Sequence, residues 1–326
     1  MRQVTARQEV WPIAGSFVIA RGAKTEARVI VVELAQDGFV GRGESVPYGR
    51  YGETIDSVLS QLDQVSGAVA GGIDCAGLMD ILPAGAARNA LDCALWDLQA
   101  KQSGIRAHLR AGFTRLDPVK TAYTISLGTP LAMAKAASAA AKRPMLKLKI
   151  GGPDDLDRVE AVRLAAPKTR LVVDANEALS FDELVRLAPE FARLRVQLIE
   201  QPLRAGEDEA LEGYDSPVML CADESLHTRA ELAQCARRYG AINIKLDKAG
   251  GLTEALALKR DALALGLEIM AGCMVATSLS MAPAMMIAQG AAIVDLDGPL
   301  LLAKDREPGL TYIGSMIEPG SEALWG

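Results

Sequence analysis

Short apolar runs recur along the second part of the chain, and each ends in a charge. Leu171-Val172-Val173 stops at Asp174, and Gln197-Leu198-Ile199 at Glu200. Val218-Met219-Leu220-Cys221-Ala222 leads to Asp223, and Ala241-Ile242-Asn243-Ile244 to Lys245. Leu146-Lys147-Leu148 leads in the same way to Lys149. A run of this length, β-branched at Val172 and Val173, reads as a buried strand, and the others repeat its pattern. The charged tips are separated by 25, 26, 23 and 22 positions. Each step has room for one strand, one helix and two short loops. A β-α period sustained over five strands predicts a parallel (β/α) barrel, with all strand tips on one face.

The rest of the chain fits around that period. Val119 to Ser126 reads as the first barrel strand, Leu267 to Ala271 as the seventh and Ala292 to Val294 as the eighth. Thr129-Pro130, Ser180 with Glu183, and Thr228 with Glu231 are helix starts. Gly240 and Gly266 read as helix ends. Before residue 113 the pattern differs. Residues 4–10, 27–34 and 39–43 alternate as three short strands, with Asp37-Gly38 as a hairpin turn. Ala90, Leu91, Ala94, Leu95 and Leu98 line one helix face within 86–103, before Gly104. Segments 14–24 and 47–52 are glycine-rich and read as mobile loops able to fold over a site. The expected division is a small α+β domain over 1–112, completed by about 300–326, and a barrel over 113–299.

Composition narrows the function. The 326 residues are 50% hydrophobic, enough for a large core. There are 35 Lys and Arg against 41 Asp and Glu, a net charge of -6, and 4% aromatics. Neither a nucleic-acid footprint nor base-stacking platforms are expected. Met1-Arg2-Gln3-Val4 opens a polar-apolar alternation and not a signal peptide, and no membrane span is expected. Five cysteines form no CxxC pair, so reduced thiols in the cytoplasm are the expectation. Oligomeric state is left open, a homo-oligomer included.

One acid at a strand tip means little, since many strands end in Asp. Three, Asp174, Glu200 and Asp223, on consecutive tips favour a hard cation, Mg²⁺ with Mn²⁺ as a substitute. The chain has only two histidines, which disfavours a His-rich hydrolase site. Lys149 and Lys245 lie two tips to either side of Glu200. A substrate between them would have one amine on each face of its reacting carbon, suited to removing a proton from one face and returning one to the other. Lys147 shares the phase of Lys149 on its strand. Its ammonium and a nearby dication are expected to lower the Lys149 pKa. Proton abstraction beside a substrate carboxylate would give an enediolate, its charge met by the cation and Lys147. Asp295-x-Asp297 suits a substrate ammonium, while Asp297-Gly298-Pro299 equally suits a turn. Arg21 and Lys24 on the first loop could hold a substrate anion or simply be solvated.

Taken together, Lys147-x-Lys149, Asp174-Ala-Asn176-Glu177, Ile199-Glu200-Gln201-Pro202, Ala222-Asp223-Glu224-Ser225 and Asn243-Ile244-Lys245-Leu246 resemble the motif set of the enolase superfamily. Within it they resemble the muconate-lactonising-enzyme subgroup, whose capping domain Ala86 to Asp97 also resembles. The resemblance implies an α+β capping domain over a modified (β/α)₇β TIM barrel, and one Mg²⁺. Asp295-x-Asp297 resembles the ammonium-binding pair of the dipeptide epimerases. Phe17 to Gly22 and Pro83 to Asn89 resemble the bacterial L-Ala-D/L-Glu epimerases in particular.

That likeness implies Asp174, Glu200 and Asp223 as metal ligands and Lys149 and Lys245 as the acid/base pair. It implies substrate contacts from Thr124, Lys147, Cys273 (through its backbone), Asp295 and Asp297. The family's loop cation for the glutamate side chain is usually arginine, and the matching place here holds Lys24. Lysine neutralises a carboxylate but cannot grip it bidentately. The implied reaction is L-Ala-D-Glu to L-Ala-L-Glu, a two-base 1,1-proton transfer through a metal-stabilised enediolate, in recycling of murein peptides. The nearest alternatives are another dipeptide epimerase, an N-acylamino acid racemase, an o-succinylbenzoate synthase and a muconate cycloisomerase. A non-catalytic anion-binding barrel and a metal-dependent hydrolase are further rivals.

Overall fold

The computed structural model describes residues 2–152 and 154–326, so Met1, where the first alternation begins, lies outside the described residues. Three antiparallel strands open the fold: β1 Gln3–Ile19, β2 Gly22–Gln36 and β3 Phe39–Ser45, in that order. The period-two alternation of β2 sends its residues to two different cores. Ile30, Val32 and Leu34 pack with helices α1 Ile55–Ala70, α2 Cys75–Ile81 and α3 Ala86–Ser103. Val29 and Val31 join the core shared with the barrel. Helix α3 lies so close to β3 that a Cβ at Gly41 or Gly43 would sit 2.3 Å from Ala94 O or 2.1 Å from Ala90 O.

The expected loop 14–24 is instead the tip of the β1–β2 hairpin. Phe17 pairs with Lys24, Val18 with Ala23 and Ile19 with Gly22, after a register shift between Pro12 and Phe17. Gly15, at φ 90°, accommodates the irregularity, and the aromatic and β-branched Phe17-Val18-Ile19 then resumes the strand. The segment 47–52 does lack strand pairing, holding one 3₁₀ turn at Gly49–Tyr51.

The strand expected over 119–126 divides in two. Its first part, β4 Val119–Lys120, pairs with β14 Met316–Ile317, itself paired to β13 Tyr312–Ile313. Its second part, β5 Tyr123–Ile125, begins the barrel. The chain changes partners at Thr121, whose N–H donates to Ser315 O and whose hydroxyl accepts from Leu296 N. Parallel strands follow in chain order: β6 Met145–Lys149, β7 Arg170–Asp174, β8 Val196–Glu200, β9 Met219–Ala222, β10 Ala241–Ile244, β11 Glu268–Ala271 and β12 Ile293–Val294. Ala122 N donates to Val294 O at 2.7 Å, joining the first barrel strand to the last.

Helices 130–139, 155–165, 181–193, 232–238, 252–264 and 278–288 fill the connections between strands. The Ser180–Glu183 capping box forms as expected, while that of Thr228 and Glu231 opens a 3₁₀ turn leading into 232–238. One connection departs from the expected period. Between β8 and β9 there is no α-helix, only a 3₁₀ turn at Glu209–Leu211. Gly206 and Gly213 adopt φ of 81° and 82°, and prolines 202 and 217 flank them, which breaks any helical run. Gly266 ends its helix in the left-handed conformation, whereas Gly240 leads straight into β10.

Inside the barrel, Ala122, Met145, Val172, Leu198, Cys221, Ala241, Met270 and Ile293 form one apolar layer, a residue from each strand or its approach. Alternation then dictates what lies above it. Two and four positions further along each strand the inward residues are Thr124; Lys147 and Lys149; Asp174; Glu200; Asp223; Asn243 and Lys245; Gly272; Asp295 and Asp297. The polar mouth is therefore a consequence of register on a closed apolar base. The C-terminal tail packs back on α3, with Trp325 Nε1 donating to Cys93 O and Gly326 N to Asp97. Among the described residues no helix is long and apolar enough to cross a membrane.

Candidate active site

A cavity of about 680 Å³ opens above these tips. Its wall combines the hairpin (Phe17, Arg21, Lys24), the 47–52 segment (Tyr48, Arg50, Tyr51) and the barrel mouth. Of the twelve expected site residues, ten line it: Arg21, Lys24, Thr124, Lys147, Lys149, Asp223, Lys245, Cys273, Asp295 and Asp297. Asp174 and Glu200 do not, and both are fully buried.

Asp174, Glu200, Asp223 and Asp295 each meet a lysine. Lys147 Nζ lies 2.6 Å from Glu200, 2.8 Å from Asp295 and 3.1 Å from Asp174. Lys149 Nζ is 2.5 Å from Asp174, and Lys245 Nζ is 2.6 Å from Asp223. Burial works against the Lys147 ammonium, but Asp295, Glu200 and Asp174 outweigh it and hold its pKa well above the usual lysine range. For Lys245 the same contest is won by Asp223 and Glu200. Glu200 is pushed up to about 7 by burial and by the charge of Asp174. Asp297, whose Oδ2 accepts from Thr124 N at 2.7 Å, is likewise pushed to about 7 by burial and by Asp295. Burial raises the Cys273 thiol far above its usual value, so it is no nucleophile.

The two loop cations differ. The Arg21 guanidinium is taken up by Glu177, Glu224, Tyr48 and the Asn176 carbonyl. Lys24 lies over the Tyr48 ring at 5.3 Å, and burial and Arg21 lower its pKa. It forms no ion pair among the described residues and faces the cavity with its charge free.

Sequence reasoning gave no role to several polar residues at this mouth. Asn243 donates to Glu200 at 2.7 Å, and Gly272 on the next strand leaves room for it, since a Cβ there would fall 2.2 Å from the Asn243 amide. Lys248 places a second ammonium 2.6 Å from Asp223. Gln201, fully buried, accepts from Asp223 N and Ser225 N. Asn243 was detectable as the inward position two before Lys245. Lys248 and Gln201 carry no such phase signal.

Among the described residues no three His, Cys, Asp or Glu side chains converge as a ready-made metal cage. The donor chemistry still fits a hard cation: three buried carboxylates on adjacent strands, with no imidazole or thiolate beside them. Glu200 Oε2 and Asp223 Oδ1 are buried without an aligned hydrogen bond, holding only ion-pair contacts.

Comparison with known proteins agrees with this architecture. Residues 1–108 match the mandelate racemase / muconate lactonizing enzyme N-terminal domain, and residues 132–303 match the enolase C-terminal domain-like family. The chain is 46% identical over 314 residues to the L-Ala-D/L-Glu epimerase of Escherichia coli K12, covering 96% of this chain and 98% of that protein. It is 45% identical over 300 residues to an N-acetyl-D-glutamate racemase of Pseudoalteromonas, covering 91% and 95%. An enolase family member from Agrobacterium tumefaciens, with homology to dipeptide epimerases and solved with sodium and L-Ala-L-Glu, superimposes with a TM-score of 0.99 at 50% identity over 100% of both chains. A dipeptide epimerase from Enterococcus faecalis V583, complexed with Mg and L-Leu-L-Tyr, gives 0.91 at 27% identity, covering 98% and 96%. With both halves of the architecture matched, and a lysine–carboxylate mouth between them, the chain belongs to the enolase superfamily and is an isomerase of the racemase and epimerase kind.

Proposed function

We propose that the protein is a dipeptide epimerase that converts L-Ala-D-Glu to L-Ala-L-Glu by a two-base 1,1-proton transfer. One observation carries the reading: the cross of charges at the barrel mouth. Lys149 on β6 and Lys245 follows β10, four strands apart in a ring of eight, so they face each other across the opening. Glu200 on β8 and Asp295 after β12 face each other along the other diameter. A dipeptide laid along the second diameter has its carboxylate toward Asp174, Glu200 and Asp223 and its ammonium toward Asp295 and Asp297. Its C-terminal α-carbon then lies between the two amines. One lysine removes the α-proton while the other donates to the opposite face. Lys147 meets the charge that develops on the substrate carboxylate.

Asp174, Glu200 and Asp223 would hold Mg²⁺, as the complexes of related dipeptide epimerases support. Bound there, the cation would take up the carboxylates' charge and polarise the substrate carboxylate. The free thiols support a reducing compartment, the cytoplasm, and the dipeptide points to murein peptide recycling.

The test is proton NMR in D₂O with Mg²⁺. L-Ala-D-Glu should lose its glutamate α-proton signal as the L,L diastereomer appears. The Pseudoalteromonas relative supports a second reading, racemisation of an N-acylated glutamate. Such a substrate offers Asp295 and Asp297 no ammonium, so N-acetyl-D-glutamate should turn over far more slowly than the dipeptide. The reverse ranking would replace the first reading with the second.

Lys24 supports the acidic side chain as the second residue of the dipeptide. Lys24→Ala should lower kcat/KM for L-Ala-D-Glu roughly 10- to 100-fold, the value of a charge-assisted hydrogen bond. L-Ala-D-Leu should change little in the same assay. An equal loss on both dipeptides would remove Lys24 from side-chain recognition.

A further inference from the structure

Two guanidinium groups reach from the capping segments onto one barrel carboxylate. Arg50 meets Glu177 through two parallel bonds, Nε to Oε2 and Nη2 to Oε1, both 2.7 Å. Arg21, at the hairpin tip, adds a contact to Glu177 Oε2 at 3.1 Å and another to Glu224 at 2.7 Å. Its remaining bonds run to the Asn176 carbonyl at 2.8 Å and the Tyr48 hydroxyl at 2.9 Å. The Glu177 side chain is 7% exposed, against 27% and 32% for the arginines. A bidentate pair sheltered to that degree is stronger than the ordinary surface ion pair.

The backbone beneath is committed to this arrangement. Asn176 and Glu177 both lie in the left-handed region, at φ 45° and 71°, directly after the tip of β7. Such a conformation is unfavourable for a residue with a Cβ, least so for Asn, and persists where its surroundings over-determine it. Here Glu177 N donates to Gln201 O, and Glu177 Oε1 accepts from Ala205 N, both at 2.9 Å. The carboxylate is thus anchored to the barrel on one side and presented to two capping segments on the other. It does not itself line the cavity, whereas Arg21, Tyr48 and Arg50 do.

We propose that Glu177 is a positioning residue: by clasping Arg21 and Arg50 it holds the hairpin tip and the 47–52 segment over the lysine–carboxylate floor. Arg21 is then a structural hook of the lid, and the cation left free for the substrate is Lys24. The clasp sets the fraction of free enzyme already in the binding arrangement. Loss of that fraction raises the apparent dissociation constant in proportion, while saturating substrate restores the closed form.

Glu177→Gln tests this, because it keeps the shape and an acceptor for Ala205 N but loses the charge. KM for L-Ala-D-Glu should rise about tenfold with kcat within about threefold of the parent. Amide hydrogen exchange in 18–24 and 47–52 of the free protein should quicken about tenfold, with the barrel strands unchanged. Arg50→Met cuts only the arm to 47–52, so it should raise KM in the same direction and quicken exchange in 47–52 more than in 18–24, and the double variant should be no worse than Glu177→Gln alone, since one open clasp cannot open twice. The kinetic arm rests on the epimerase reading, and the exchange arm does not. Unaltered exchange in both segments, additive single effects, or a fall in kcat at constant KM would each overturn the clasp. Should Glu177→Gln fail to fold, Arg50→Met decides alone.

Discussion

With Lys149 replaced by alanine, epimerisation of L-Ala-D-Glu should fall about 10⁴-fold, the upper end of general acid–base catalysis. Exchange of the glutamate α-proton with solvent should nevertheless survive, and for one diastereomer only. The reason is the placement of the two amines across the mouth, on strands four apart. The remaining Lys245 can take the proton from the epimer whose C–H bond points toward it. Its ammonium then exchanges with D₂O and returns deuterium to the same face, so label enters without inversion. Lys245→Ala should give the mirror result, with label entering the other diastereomer. Lys149→Arg keeps the ion pair to Asp174 but supplies no neutral amine at accessible pH, and it should behave like the alanine variant. NMR of each pure diastereomer in D₂O reads all three cases. Inversion by either alanine variant, or label entering the same epimer in both, would sink the two-base mechanism.

Much of this site was legible because barrel geometry is periodic. A strand shows alternate residues to the interior, so charged tips at a regular step must converge if the sheet closes. Lys147 and Lys149 were readable as inward residues because Leu146, Leu148 and Ile150 occupy the opposite phase, and those three are buried in the outer core. What stayed hidden depends on partners distant in sequence. Nothing local to Arg21 announces a carboxylate 156 positions away. The glycines of 14–24 read as a loop because their pairing is visible only when both halves of the hairpin are laid together. The step from Glu200 to Asp223 had the right length for a helix, but length counts residues and not conformation. Gly206 and Gly213 turn that segment into an irregular loop. Lys248 follows Lys245 by three, on a short helical turn at 246–249, where strand alternation no longer says which side chains point inward.

Lys147 carries the second large effect, on stability. Its ammonium is 2% exposed and contacts three carboxylates, so Lys147→Met leaves Asp174, Glu200 and Asp295 with less counter-charge in a dry interior. Breaking such a set from one side costs about 3–5 kcal/mol. In a chain of this size that lowers the thermal midpoint by roughly 4–7 °C. The loss should depend on pH in a definite direction. Glu200 is raised to about 7 in the folded protein, above its ordinary value, so between those values the native state holds a proton that the unfolded chain has released. The associated stability is full in acid and is lost as pH rises through about 7. Without the Lys147 charge Glu200 is driven higher still. The variant should therefore be closest to the parent near pH 5 and furthest from it near pH 8, in EDTA. Adding Mg²⁺ should raise the variant's midpoint more than the parent's, because the cation no longer shares Asp174 and Glu200 with an ammonium. Differential scanning fluorimetry across pH, with EDTA and then with Mg²⁺, measures both trends. Equal midpoints for the two proteins in EDTA would mean that Lys147 does not balance these acids. An equal gain on adding Mg²⁺ would place the cation elsewhere.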